Sequence, residues 1–177
     1  MRRVAVAVLV FITTGIGFGY QGPGEWIKYS SPEGRYSILL PTEPKLSTQE
    51  TTASTGEKVP QYLASSPDGN GVVVIGYFDY TTEMTFSFDK ARSGMVTAMN
   101  ATLLDEDSIS LGGSPGRAFK LLAKPADQQE FLVRARLYDV GRRVYVLQCI
   151  FPKAEDSPTV VEKCGKFVDS FKVEARP

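Results

Sequence analysis

The sequence predicts an α+β fold, a single α/β/α sandwich in which a central antiparallel β-sheet is flanked by helices. Three observations carry that expectation. The run Val72-Val73-Val74-Ile75-Gly76-Tyr77-Phe78 is apolar on both faces, as a strand covered on both sides must be. Two segments, one near Ala91 and one near Cys164, carry apolar stripes at helical spacing. Phe131 to Phe151 reads as two long strands joined by a tight turn.

In chain order, Met1–Gly19 comes first. Arg2 and Arg3 precede the apolar run Val4–Ile12, and small residues follow at Gly15, Gly17 and Gly19. A positive end, a short apolar core and a small-residue exit form an export signal, with cleavage expected after Gly19. An uncleaved anchor is the rival. The run to Tyr20 lies at the lower edge of the ~17–25 residues a spanning helix needs, and Thr13, Thr14 and glycines dilute it. No Cys stands at the cleavage point, so a bacterial lipoprotein anchor is not indicated, and no later run is apolar enough to span a bilayer. Residues 20–25 form a linker and 26–174 the folded domain.

Trp26–Tyr29 is a first short strand, and Ser31-Pro32-Glu33-Gly34 a turn in which Gly34 supplies positive φ. Tyr36, Ile38 and Leu40 share one face of the next strand, which Pro41 ends. Lys45–Lys58 is polar and reads as an exposed edge hairpin with its tip at 54–57. Val59–Ser65 is a weak strand, and Pro67–Gly71 a turn. Gly76 inside the valine-rich strand marks a close approach or a bulge. Ser87 or Asp89 caps a helix whose face holds Ala91, Met95, Ala98, Met99 and Thr102. Asp105-Glu106-Asp107 is a connection, Ser108–Leu111 a strand, Gly112–Gly116 a tight loop and Arg117–Leu122 another strand.

In the hairpin that follows, one face carries Phe131, Val133, Ala135, Leu137, Val144, Val146 and Ile150. The other carries Arg134, Arg136, Tyr138, Tyr145, Leu147, Cys149 and Phe151. Ser157 then caps a last helix with Pro158 at its first position. Its stripe is Val160, Val161, Cys164, Phe167, Val168 and Phe171. Cys149 and Cys164 are the two cysteines of the chain. An even count in an exported protein favours a disulfide. The bridge needs the last helix to cover the mixed face of the hairpin; if the helix covers the all-apolar face, both thiols are simply buried.

Composition excludes several functions. The 20 basic residues balance 20 acidic ones, whereas a nucleic-acid binder carries a basic excess. There is no histidine among the 177 residues, so Ser-His-Asp and Cys-His catalysis within the chain is excluded, and the commonest transition-metal ligand is missing. No catalytic residue, metal ligand or cofactor is assigned.

Four phrases resemble PsbP-like domains. They are Trp26 with Tyr29-Ser30-Ser31-Pro32-Glu33-Gly34-Arg35-Tyr36-Ser37-Ile38, then Gly113-Ser114-Pro115-Gly116-Arg117-Ala118-Phe119, then Arg136–Tyr145, and finally Phe167-Val168-Asp169-Ser170-Phe171-Lys172-Val173. The resemblance spans Trp26 to Val173. It implies an antiparallel sheet with helices on both sides and a protein that assembles or binds rather than catalyses. The photosynthetic members of that family are extrinsic subunits of the oxygen-evolving complex. No functional residue is carried over.

Of the candidate sites, Arg117, Arg134, Arg136, Arg142 and Arg143 are expected to cluster near one end of the sheet, ready for an anionic ligand or an acidic partner surface. The competing account is surface arginines whose stems cover apolar neighbours. Asp105-Glu106-Asp107 offers hard oxygens for a divalent cation, but adjacent residues do not all point one way and the calcium-loop spacing is absent. Gly112–Gly116 lacks the ending of a phosphate-binding loop. Asn100-Ala101-Thr102 matches a glycosylation sequon by chance, within or at the end of a helix. Tyr77, Phe78, Tyr80, Phe86 and Phe88 are core, or else line a ligand pocket. The expected function is therefore an exported, non-enzymatic domain that binds a protein partner or assembles at the cell envelope. The alternative is an exported binder of a small ligand or cation.

Overall fold

The computed structural model describes residues 2–4, 25–52, 58–81, 84–125 and 129–174. The export signal and its cleavage point lie outside the described residues except for Arg2–Val4 (β1), which pairs in parallel with β7 (Met84–Phe86). The hairpin tip at 54–57 also lies outside them.

Seven strands form one antiparallel sheet: β4 (Lys45–Thr52), β5 (Lys58–Asp68), β6 (Gly71–Asp79), β8 (Ala101–Leu111), β9 (Ser114–Ala123), β10 (Phe131–Val140) and β11 (Arg143–Pro152). Their spatial order is β4-β5-β6-β11-β10-β9-β8. The valine-rich strand β6 is third from one edge, and residues 73–78 are all buried. Gly76 is a close approach rather than a bulge, because a Cβ there would meet Leu63 Cδ2 at 2.6 Å.

Each face of this sheet has its own core. On one face Phe78, Phe119, Leu121, Val133, Leu137, Val144, Val146 and Ile150 pack under α1 (Phe88–Ala98), which contributes Ala91 and Met95. Ser87 caps α1 by accepting from the Lys90 amide. On the other face Ile75, Tyr77, Tyr145, Leu147, Cys149 and Phe151 meet two covers. One is a three-stranded sheet, β12 (Lys172–Val173), β3 (Tyr36–Leu40) and β2 (Ile27–Ser31), which contributes Tyr36, Ile38 and Leu40. The other is α2 (Pro158–Asp169), which contributes Cys164, Phe167 and Val168.

The expected helix-flanked sandwich is therefore corrected. The described residues are mostly β, with a seven-stranded sheet, a three-stranded sheet, the two-stranded β1–β7 pair and two α-helices of 11 and 12 residues. A helix does cover the first face, but the second is covered mainly by another sheet with one helix beside it. The physical reason lies in β3. Tyr36, Ile38 and Leu40 are each at most 2% exposed, so this short strand lies inside the layer that covers the large sheet.

Three local differences also have causes. The acidic trio lies within β8, where an edge strand pairs on one side only and tolerates charge. α1 stops at Ala98, and Thr102 belongs to β8, because Asn100 takes φ 45° and turns the chain. In the β2–β3 turn Arg35, not Gly34, has positive φ (53°). Gly34 is there because a Cβ would come within 2.5 Å of Tyr36 Cε1.

Candidate functional site

The cover on the second face is narrower than the sheet it covers. Seven strands spaced ~4.8 Å apart place roughly 29 Å between the outermost two, while three strands and one helix span roughly 20 Å. The sheet overhangs on both sides, and each overhang forms a concavity.

The first concavity is a groove of about 240 Å³ between α2 and the outer strands β8, β9 and β10. Register builds its floor. Asp105, Lys120 and Arg134 are successive cross-strand neighbours, as are Asp107, Ala118 and Arg136 one row away. α2 forms the wall with Val161, Gly165 and Val168, and Cys164 anchors it. The structure joins Cys164 to Cys149 of β11, with Cα atoms 5.7 Å apart. α2 thus covers the mixed face of the hairpin, which was the geometric condition for the bridge. Arg136 Nη1 donates to Asp169 Oδ1 at 2.8 Å, and Arg134 Nη2 stands 3.7 Å from Asp156 Oδ1. Among the described residues the buried Nε of Arg134 has no acceptor.

The five arginines do not form one cluster. Arg134 and Arg136 meet in this groove. Arg117 lies on the opposite face, where it hydrogen-bonds Ser108, faces Glu106 and lies over the Phe88 ring. Arg142 occupies the β10–β11 turn with φ 75°. Arg143 is 7% exposed and borders the second concavity. Arg117 pairs with Leu137 across the β9–β10 ladder, one position from Arg136, so alternation along β10 puts 117 and 136 on opposite faces.

The second concavity is a pocket of about 640 Å³ between β2–β3 and β4–β6. Tyr29 and Tyr36 line it from the small sheet, and Tyr62 and Tyr77 from the large one. Tyr62 and Tyr77 stack with centroids 5.0 Å apart, and Tyr36 meets Tyr77 edge-on at 6.3 Å. Arg143 latches the pocket end: Nε donates to Asp79 Oδ1 at 2.7 Å, Nη2 to Asp79 Oδ2 at 2.6 Å and Nη1 to the Glu33 carbonyl at 2.7 Å. Its guanidinium lies 4.5 Å from the Tyr77 centroid. Tyr145 Oη adds a bond to the Gly34 carbonyl at 2.8 Å. Burial pushes the Tyr29, Tyr36 and Tyr77 hydroxyls up, so they stay protonated through neutral pH. Sequence reasoning missed this pocket. Of the expected aromatic group only Tyr77 reaches it. Phe78, Tyr80, Phe86 and Phe88 pack on the α1 face. The available signal was the phase of Tyr29, Tyr36, Tyr62 and Tyr77 along four separate strands.

The acidic trio is split. Asp105 and Asp107 face the groove, while Glu106 faces α1 and pairs with Arg92. Among the described residues no three acidic, histidine or cysteine groups gather as a metal site would require. Asn100 uses its side chain to hydrogen-bond the Lys124 carbonyl. No described helix is long and apolar enough to cross a membrane.

With this geometry the fold is PsbP-like. The solution structure of cyanobacterial PsbP (CyanoP) from Synechocystis sp. PCC 6803 aligns with TM-score 0.59 and 12% identity, over 90% of this chain and 98% of that one. At that identity the likeness is one of fold alone. A Pseudomonas aeruginosa protein of unknown function, PA94, described as a putative regulator, aligns with TM-score 0.47 and 10% identity over 87% of this chain and 99% of its own. A Bacteroides thetaiotaomicron structure gives 0.46 and 16% over 84% of this chain and 48% of its own. No family model matches the chain, and no curated protein does.

Proposed function

We propose that this is an exported, non-enzymatic domain that binds an acidic surface of a protein partner through the groove between α2 and β8–β10. The observation that carries the reading is the pair Arg134 and Arg136 on the floor of that groove. Both side chains are about one-third exposed (31% and 33%), and their carboxylate partners Asp156 and Asp169 sit on and beside α2 at the rim. Such half-exposed pairs contribute little to stability, so exchanging an internal carboxylate for a partner's costs little. Lys120 adds a third cation to the same floor, and against the carboxylates of Asp105 and Asp107 the lining keeps one net positive charge. The export pattern of residues 1–19, the disulfide, the absence of histidine and the PsbP-like fold support the same reading.

The test is affinity capture from the native envelope fraction with the wild-type domain and with the Arg134→Glu/Arg136→Glu double variant. Wild type retains a partner that the double variant loses, while the Glu50→Gln variant, on β4 at the opposite edge of the sheet, keeps it. Recovery of only the free monomer at native concentration would falsify the reading.

A further inference from the structure

We infer that the tyrosine-lined pocket between β2–β3 and β4–β6 binds an organic cation, an ammonium or guanidinium group carried on a larger molecule. The charges lining it decide the sign. Asp79 and Arg143 neutralise each other through two short hydrogen bonds, and the third Arg143 nitrogen is held by the Glu33 carbonyl. Three of the five Arg143 N–H donors are engaged and its charge is matched by Asp79, so it presents no unbalanced positive charge to an anion. The Glu33 carboxylate is the remaining charge on the lining, and it has no hydrogen-bond or ion-pair partner among the described residues.

The walls suit a cation as well. Neutral phenol rings present a negative face that attracts ammonium and guanidinium groups. This fold already uses one such face, with Arg143 held 4.5 Å above Tyr77. Tyr62, 41% exposed, and Leu46, 63% exposed, stand at the mouth, where the hydrocarbon part of a ligand would lie. A hard metal ion is a poor fit, because it takes about six oxygen ligands and one carboxylate among phenols does not supply them. The 640 Å³ volume falls in the range used by organic ligands. A neutral sugar gains less here, because it offers no charge to the Glu33 carboxylate. The pocket is at the opposite edge of the sheet from the arginine groove and does not depend on the partner reading.

Choline is the probe, titrated into the full chain while tyrosine ring resonances are followed by NMR. Its neutral isostere 3,3-dimethylbutan-1-ol and methyl α-D-glucoside are titrated in parallel. Choline is expected to shift the Tyr29 and Tyr62 rings saturably, at least about fivefold more tightly than either neutral compound. Glu33→Gln and Tyr62→Ala should each weaken choline by about fivefold, and Glu162→Gln should leave it unchanged. Glu33 and Tyr62 are exposed, so both variants keep the fold, which the remaining resonances verify. Absence of saturable choline shifts overturns the inference. So does equal binding of the isostere or the glucoside, or indifference to Glu33→Gln.

Discussion

The two overhangs of the same sheet face differ in what holds them together. The groove beside α2 is lined by half-exposed charges and depends on a helix tied to the sheet by one disulfide. The tyrosine pocket is lined by aromatic rings, and its small sheet is latched to β11 by Arg143 and Tyr145. One side is closed by a covalent bond to a helix and the other by buried hydrogen bonds to a turn. A cover narrower than its sheet thus leaves two concavities of opposite character from one cause.

Removing each closure should break one side and spare the other. The largest effect is expected from Cys149→Ser with Cys164→Ser. The bridge closes a loop with sequence separation 15. Its loss should cost about 3 kcal/mol in the chain-entropy account. Chemical denaturation measures the loss, and hydrogen exchange should show α2 losing protection while β2–β3 keeps most of its own. Equal loss on both sides would mean that the two closures are coupled.

Arg143→Ala comes next. It removes three hydrogen bonds and leaves the Glu33 carbonyl and Asp79 unpaired, but Asp79 is 57% exposed, which limits the penalty. A loss of ~2 kcal/mol is expected, with faster exchange in the turn at 32–35 and an intact α2.

Alkaline pH should act on the tyrosine side. Burial raises the hydroxyls of Tyr29, Tyr77 and Tyr145 above the ordinary 10.0. The unfolded chain therefore releases these protons first, so the stability they support is present below pH 10.0 and is lost as pH rises through the raised values. Ultraviolet titration of tyrosinate should show late ionisation in the native state. A native titration that ends at the ordinary value would remove the argument for buried phenols. The smallest effect belongs to the arginine groove. Arg136→Ala, whose partner Asp169 is 67% exposed, should change stability by less than about 0.5 kcal/mol. A larger loss would make the pair structural rather than available to a partner.

Much of the large sheet was legible in the residues. Two-sided burial of β6, the faces of β10 and β11, and the caps Ser87 and Ser157 follow from alternation and cap chemistry, which are local. β8 was read short because an edge strand with Asp105, Glu106 and Asp107 exposes most of its residues and shows no apolar period. Cover by a second sheet was not legible, since a five-residue β3 looks the same in sequence whether it lies in one sheet or another. Of the arginine site, the pair Arg134 and Arg136 could be read from shared strand phase. The separation of Arg117, Arg142 and Arg143 depends on which strands are neighbours.

Local pattern alone set most strands of the large sheet, the helix caps, the two faces of the final hairpin and the absence of histidine chemistry. Those are set within a few residues by side-chain period and backbone preference. The tertiary structure alone decided which face α2 covers, and so whether Cys149 meets Cys164. It also decided that the cover is too narrow for the sheet. Both outcomes depend on contacts between residues far apart in the chain, where the area to be buried, not the local pattern, fixes what lies against what.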